Sequence, residues 1–254
     1  IFWELYLQRD NTQHIAFYDK LANYFFQSLS DEMKENISKQ KNLIEYLLLM
    51  FQKKYTKRLF LQCESYLKQF KRDCLKMKKK SSNLYKIPII TNPAFECISM
   101  NFRGVRIKSS NSKPMIIPCI VRNSEGYKFH YEYMYKQEDL RQEKIIMNTI
   151  RLMDLILKRE EQLDLYITTY NIIPINLKEG FIEIISSSDT LYGLKQKHFS
   201  IQNYIIEKNP GITIEELRKR FVYSCSAYCV ISYLLGIGDR HLENIMLTDR
   251  GYLF

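Results

Sequence analysis

Long apolar runs are missing from this chain of 254 residues. The best, residues 43–51, is interrupted by Glu45, so nothing approaches the roughly 20 residues that cross a bilayer. Glycine and proline are scarce, at 8 and 6, which excludes collagen-like and linker-like chains. None of the six cysteines (Cys63, Cys74, Cys97, Cys119, Cys225, Cys229) forms a C-x-x-C. The four histidines (His14, His130, His198, His241) never pair at zinc spacing. Reduced core cysteines are therefore expected rather than disulfides or metal ligands. Cys225 and Cys229, four apart in a helical pattern, are expected on one buried face. No secretory leader is visible, since the chain opens on Ile1 with Glu4 and Arg9 close behind. It closes at Phe254 inside an apolar run, and so reads as a fragment of a longer protein.

What is present suits a globular protein. Hydrophobic residues make up 46% and charged residues 26%, enough for one large domain or two small ones. The formal net charge of +10 is local. Residues 53–80 hold eleven Lys/Arg against Glu64 and Asp73, so the rest of the chain is nearly neutral. A solvated helix face and linker are expected there. Contact with anionic membrane is the alternative, at about 1 kcal/mol per cation close to the surface. No RNA or DNA module pattern accompanies the segment, so nucleic acid is not an expected partner.

Three regions differ in pattern. Residues 1–86 read as helices: Ile15, Phe17, Leu21, Phe25 and Leu29 recur at helical spacing, and a second helix is expected from about residue 43 through Phe51, Tyr55, Leu59, Tyr66 and Phe70. Lys78 to Asn83 read as an exposed linker. Residues 87–185 read mostly as strands. The runs 115–122 and 127–136 flank Asn123-Ser124-Glu125-Gly126, a hairpin turn. A helix is expected over 139–158 with Ile146, Ile150, Met153 and Leu157 on one face. Strands are expected again at 163–168, 172–176 and 181–185, with a turn at Lys178-Glu179-Gly180. From residue 186 the pattern returns to helix over 201–206, breaks at Pro210-Gly211, and resumes behind a capping box, Thr213-x-x-Glu216. That last helix is apolar from 221 to 235 and ends at Gly236. The fold class is α+β.

The chemistry lies beyond Gly236. The string Gly236-Ile237-Gly238-Asp239-Arg240-His241-Leu242-Glu243-Asn244 presents a carboxylate, a guanidinium, an imidazole and an amide within six residues. It is followed by a strand at 245–247, a turn at 248–251 and a return strand at 252–254. Phosphoryl transfer asks for this inventory: a group to orient or deprotonate the attacking hydroxyl, positive charge for the phosphates, and an oxygen for Mg²⁺. By composition alone, a polar surface loop capped by Asp239 would account for it equally well.

The order Asp-Arg-His-x-x-Asn resembles the phosphatidylinositol 3-/4-kinase superfamily, and differs from the His-Arg-Asp order of protein kinases. Residues 221–230 leading into the loop look like the phosphatidylinositol 3-kinase branch. Upstream, Tyr135-Lys136-Gln137-Glu138-Asp139-Leu140-Arg141-Gln142-Glu143 is similar to the family's Phe-Lys-His-Gly-Asp-Asp-Leu-Arg-Gln-Asp, one residue shorter. His241-Leu242-Glu243-Asn244 is most like class III, the vacuolar-sorting lipid kinases, where an acid precedes Asn.

The resemblance implies a two-lobed kinase-like fold preceded by the end of an α-helical domain. Residues 1–86 would be that domain's end and linker, 87–185 the small lobe and hinge, and 186–254 the start of the large lobe. It implies Asp239 and His241 as the catalytic pair, with Arg240 bracing the loop and Asn244 ligating the metal, Mg²⁺ or Mn²⁺. ATP would be held by Lys136, by the covering loop at Ser109 and Ser110, by Glu143 with Tyr170, and by the backbone of the hinge at Glu183 and Ile185. Glu143 stands where the family has Asp, one methylene longer. The chain stops before the expected Asp-Phe-Gly, so the fragment alone is expected to be inactive. The implied product is phosphatidylinositol 3-phosphate, serving endosomal trafficking and autophagy. The implied setting is the cytoplasmic face of endosomal or autophagic membranes, with a regulatory protein-kinase-like subunit and its complex partners. The rivals are a protein serine/threonine kinase of the same superfamily and an inactive membrane or scaffold module.

Overall fold

The computed structural model describes residues 15–52, 87–92, 94–108, 114–197 and 200–254. The basic segment, the expected linker, Ser109, Ser110 and His198 lie outside the described residues.

Two helices come first, α1 (Ile15–Ser28) and α2 (Asp31–Gln52). The helix expected from about residue 43 begins twelve residues earlier, at Asp31. Its first half is polar and carries no apolar period to read. Local terms hold it: the Ser30 hydroxyl accepts the Met33 N–H at 3.4 Å, Asp31 and Glu32 face the N-terminal dipole, and Lys34–Asp31 and Lys39–Glu35 pair one turn apart.

The strands are β1 (Ile87–Pro88), β2 (Glu96–Met100), β3 (Arg106–Ile107), β4 (Met115–Arg122), β5 (Lys128–Lys136), β6 (Ile172–Asn176) and β7 (Glu179–Ile184). They form an antiparallel sheet in the order β1-β2-β4-β5-β7-β6, with β3 also pairing β4. The β4–β5 hairpin is as the alternation predicts. Its turn is held by Asn123, whose side-chain oxygen accepts the N–H groups of Glu125 and Tyr127 at 3.1 and 2.9 Å. The β6–β7 turn is tighter than expected. Asn176 pairs with Glu179, so only Leu177 and Lys178 turn, while Glu179 and Gly180 belong to the strand. Gly180 pairs with Lys136 on one side and Pro174 on the other.

The expected strand over 163–168 does not form. The Asp164 carboxylate accepts the Tyr166 N–H at 2.8 Å and Tyr166 has φ +53°, which takes the backbone out of any ladder. In its place the helix α3 (Arg141–Glu160) is followed by an irregular stretch that leads into β6.

By its contacts the chain divides into two units. Unit one comprises residues up to Arg141 and Ile172–Ile184. Its core is the inner face of the sheet, with Ile117, Cys119, Val121, Tyr131, Tyr133, Tyr135 and Phe181 buried, joined by Ile44 of α2. Unit two comprises Gln142–Asn171 and Ile185–Phe254. It holds most of α3, then β8 (Ser188–Thr190), α4 (Leu191–Lys197), α5 (Ile201–Lys208), α6 (Ile214–Leu234) and β9 (Met246–Thr248). Ile150 of α3 is buried there against Leu194, Tyr204, Leu217, Ile231 and Leu247, and Ile146, Met153 and Leu157 pack on the same core. β8 pairs antiparallel with β9, a pairing across nearly sixty residues that local pattern does not reveal.

At α6 the Thr213 hydroxyl accepts the Glu216 N–H at 3.3 Å. Only this half of the capping box is made, because Glu216 turns its carboxylate to Arg220, at 2.9 Å. Cys225 and Cys229 do not share one buried face: Cys225 is half-buried and Cys229 exposed, while Cys97 and Cys119 are buried thiols. No described helix is long and apolar enough to cross a membrane.

Candidate active site

The loop begins where α6 is stopped. Gly236 has φ +62°, the left-handed backbone that glycine adopts without a Cβ penalty. Its N–H bonds the Tyr233 carbonyl at 3.3 Å and the Ile237 N–H bonds the Ser232 carbonyl at 2.9 Å. These are the two bonds of a Schellman closure, and they turn the chain off a helix seated in the core.

Asp239 then takes φ +56°. Aspartate tolerates this region better than most residues, and such backbone clusters at functional sites. Asn244 stabilises the turn. Its amide nitrogen donates to the Asp239 main-chain oxygen and to Asp239 Oδ2, both at 3.0 Å. The Asn244 N–H also bonds the His241 carbonyl at 2.8 Å. Asp239, His241 and Asn244 thus form one cluster. His241 Nε2 lies 3.5 Å from Asp239 Oδ1 and 3.3 Å from Asn244 Nδ2, and Nδ1 accepts the Glu243 N–H at 3.2 Å. A neutral ring protonated at Nε2 keeps the Glu243 bond and faces Asp239. The other tautomer bares Nε2 and gives that bond up. All three side chains are exposed. Arg240 reaches back, Nε to the Gly238 carbonyl at 3.3 Å.

The far end of the loop is fixed as firmly. The Tyr192 N–H bonds the Leu242 carbonyl and the Leu191 N–H bonds the Ile245 carbonyl, each at 2.9 Å. β9 then pairs β8 on one side and returns to Phe254 on the other, through two bonds between Met246 and Phe254.

The remaining nucleotide candidates divide between the units. In unit one, Lys136 closes β5 and pairs with Glu138 at 2.6 Å. Its register partner Gly180 would meet the Ile173 carbonyl at 2.7 Å and Pro174 Cα at 2.9 Å with any Cβ. Glu183 stands opposite Tyr133, three residues from Lys136, so the two side chains leave opposite faces of the sheet. Glu183 adds to the burial that pushes the Tyr131 phenol upward. In unit two, Glu143 is half-buried in the first turn of α3, and Tyr170 and Ile185 pack against the core.

Arg151 of α3 is a residue the sequence pattern did not single out. Its Nη2 donates to the Tyr170 carbonyl at 2.6 Å and to Asn171 Oδ1 at 2.7 Å. A charged residue between the inward-facing Ile150 and Met153 was the available signal. Burial also raises the Tyr228 phenol, with Tyr170 adding to the shift and Arg240 opposing it.

No three His, Cys, Asp or Glu side chains converge as a metal cage among the described residues. The donor set on hand is oxygen. With its nitrogen engaged by Asp239, Asn244 offers Oδ1, a hard neutral donor. Mg²⁺ commonly takes only one or two protein ligands and completes its shell with phosphates and water, so the cluster fits it as one contributor.

Comparison with known proteins places this loop in context. Residues 130–254 match the family described as phosphatidylinositol 3- and 4-kinase. The chain is 42% identical over 125 residues to phosphatidylinositol 3-kinase VPS34 of Arabidopsis thaliana, covering 47% of this chain and 15% of that protein. It is 38% identical over 130 residues to phosphatidylinositol 3-kinase VPS34 of Saccharomyces cerevisiae, covering 49% and 15%. Phosphatidylinositol 3-kinase pik3 of Schizosaccharomyces pombe is 26% identical over 269 positions, covering all of this chain and 33% of that protein. The chain spans a third or less of the length of these relatives. The stretch that is similar to the phosphatidylinositol 3- and 4-kinase family, residues 130–254, carries both the Lys136 strand and the Asp239–Asn244 loop.

Proposed function

We propose that this chain is the catalytic part of a lipid kinase that transfers the terminal phosphate of ATP to the 3-hydroxyl of phosphatidylinositol. The observation that carries the reading is the hydrogen-bonded cluster of Asp239, His241 and Asn244, set on a loop locked at both ends, within the stretch that matches the kinase family. In this reading residues 87–185 are the small lobe and hinge, and residues 186–254 the start of the large lobe, of a two-lobed kinase.

Asp239 orients the inositol hydroxyl and His241, in the tautomer that bares Nε2, takes its proton. Arg240 braces the loop through Gly238. Lys136 exchanges the Glu138 carboxylate for the ATP phosphates, a swap of one anionic partner for another. Glu143 and Tyr170 line the inner end of the adenine pocket, and the backbone at Glu183 and Ile185 meets the base. Bound Mg²⁺, held in part by Asn244, would supply charge neutralisation on the phosphates. Catalysis rests on positioning and electrostatics, with no covalent enzyme intermediate.

The names of the VPS34 relatives support the 3-hydroxyl as acceptor. From the class III likeness of His241-Leu242-Glu243-Asn244 follows the wider proposal: a peripheral enzyme on endosomal or autophagic membranes, assembled with a regulatory protein-kinase-like subunit. The test is a paired assay of the full-length protein, against phosphatidylinositol vesicles and against serine/threonine peptides. Lipid turnover with the phosphate on the 3-position supports the reading. Peptide phosphorylation without lipid turnover replaces it with a protein kinase, and neither activity replaces it with an inactive module.

A further inference from the structure

Two polar side chains of α6 play no part in the roles above, yet both point inward. Ser224 is fully buried, at 0% exposure. Its hydroxyl donates to the Arg220 carbonyl at 2.7 Å, with the Phe221 carbonyl at 3.1 Å, and accepts the Leu253 N–H at 2.9 Å. A helical serine bonding the preceding turn is ordinary; the long-range bond to Leu253 is not. Tyr228, one turn further along the same face, is buried and donates its hydroxyl to the Thr168 carbonyl.

The two acceptor segments lead to different halves of the site. Leu253 bridges Leu247, and its neighbour Phe254 exchanges two hydrogen bonds with Met246. Met246 is the second residue after Asn244, so Ser224 holds the exit of the loop. Thr168 lies two residues before Tyr170, so Tyr228 holds the segment that carries Tyr170. The same helix fixes the loop's entry through Gly236. One rigid element thus references the loop's entry, its exit and the Tyr170 segment.

We propose that Ser224 and Tyr228 are positioning residues with separable effects: Ser224 sets the 239–244 cluster through Leu253, and Tyr228 sets Tyr170 through Thr168. The inference rests on the kinase reading, in which the cluster performs the chemistry and Tyr170 lines the nucleotide pocket. Displacing the cluster lowers kcat, whereas displacing Tyr170 raises KM for ATP.

The experiment measures kcat and KM for MgATP in the full-length protein on phosphatidylinositol/phosphatidylcholine vesicles, corrected for folded fraction by thermal unfolding. Ser224→Ala is expected to lower kcat about tenfold with KM for ATP unchanged. Ser224→Thr, which keeps the hydroxyl, restores it. Tyr228→Phe is expected to raise KM for ATP about fivefold with kcat within about twofold of wild type. Losses that only track the folded fraction, or the same change in KM from both variants, overturn the proposal. Amide hydrogen exchange decides the geometric claim without turnover. Faster exchange at Leu253 in Ser224→Ala, with amides elsewhere in α6 unchanged, upholds it, and unchanged exchange at Leu253 overturns it. If the wild type fails to phosphorylate the lipid, the kinase reading has failed, and the exchange result alone then rules on the Ser224 bond.

Discussion

Gly236 and Gly238 offer a matched pair for testing how the loop is launched. Both are exposed, and at neither does an added Cβ meet any atom within 4 Å. They differ in backbone: Gly236 sits at φ +62°, while Gly238 is not in the left-handed region. Replacing either with alanine reduces the freedom of the unfolded chain equally, by about 0.4–1 kcal/mol. That contribution cancels in the comparison. What remains is the cost of a left-handed alanine at 236, about 1–2 kcal/mol. The Ile237 N–H bond to Ser232 reports on it, since that bond exists only while residue 236 holds the left-handed turn. Native-state hydrogen exchange at Ile237 should therefore be roughly 5- to 30-fold faster in Gly236→Ala than in Gly238→Ala. Exchange in unit one, for instance at Val121, should match in the two variants. Equal exchange at Ile237 would refute the claim that this closure sets the loop's direction.

Other consequences follow from the same geometry. Gly180→Ala would place a Cβ against two backbone atoms of β6, which cannot yield as a flexible side chain would. It should destabilise unit one by roughly 1–3 kcal/mol, read as a lower unfolding midpoint, and a neutral effect would contradict the tight β6–β7 packing. Asn244→Ala removes both bonds to Asp239. Turnover should fall about 10- to 100-fold and the Mg²⁺ requirement should rise, measured by Mg²⁺ titration of initial rates; an unchanged titration would exclude Asn244 from the metal's shell. Arg151→Ala removes the guanidinium donor from the Tyr170 carbonyl and should weaken ATP binding more than it lowers kcat, checked by nucleotide titration.

The sequence shows some of this plainly and hides the rest for physical reasons. The β4–β5 hairpin is legible because alternation and an Asn-x-x-Gly turn agree. The inward face of α3 is legible from its 3.6-residue period. The chemical loop is legible because glycines and polar groups follow an apolar helix. The start of α2 is hidden, because capping and ion pairs build it rather than an apolar stripe. The stretch at 163–168 looks like a strand by composition, but one Asx turn at Asp164 outweighs its β propensity. Pairings such as β8 with β9, and bonds such as Ser224 to Leu253, join residues far apart in the chain. The exposure of Cys229 is hidden for another reason: helical spacing gives a face, not which neighbour covers it.

The structure also decides which variants suit a test of the loop. Alanine at 239 would mix loss of the carboxylate with the cost of a left-handed backbone, whereas asparagine tolerates φ +56° and removes only the charge. The most direct measurement is therefore transfer of labelled phosphate from ATP to phosphatidylinositol by full-length Asp239→Asn and His241→Ala. Each should lose at least about 100-fold in kcat while unfolding at the wild-type temperature. Turnover by both within a few-fold of wild type would show that the proton is handled elsewhere.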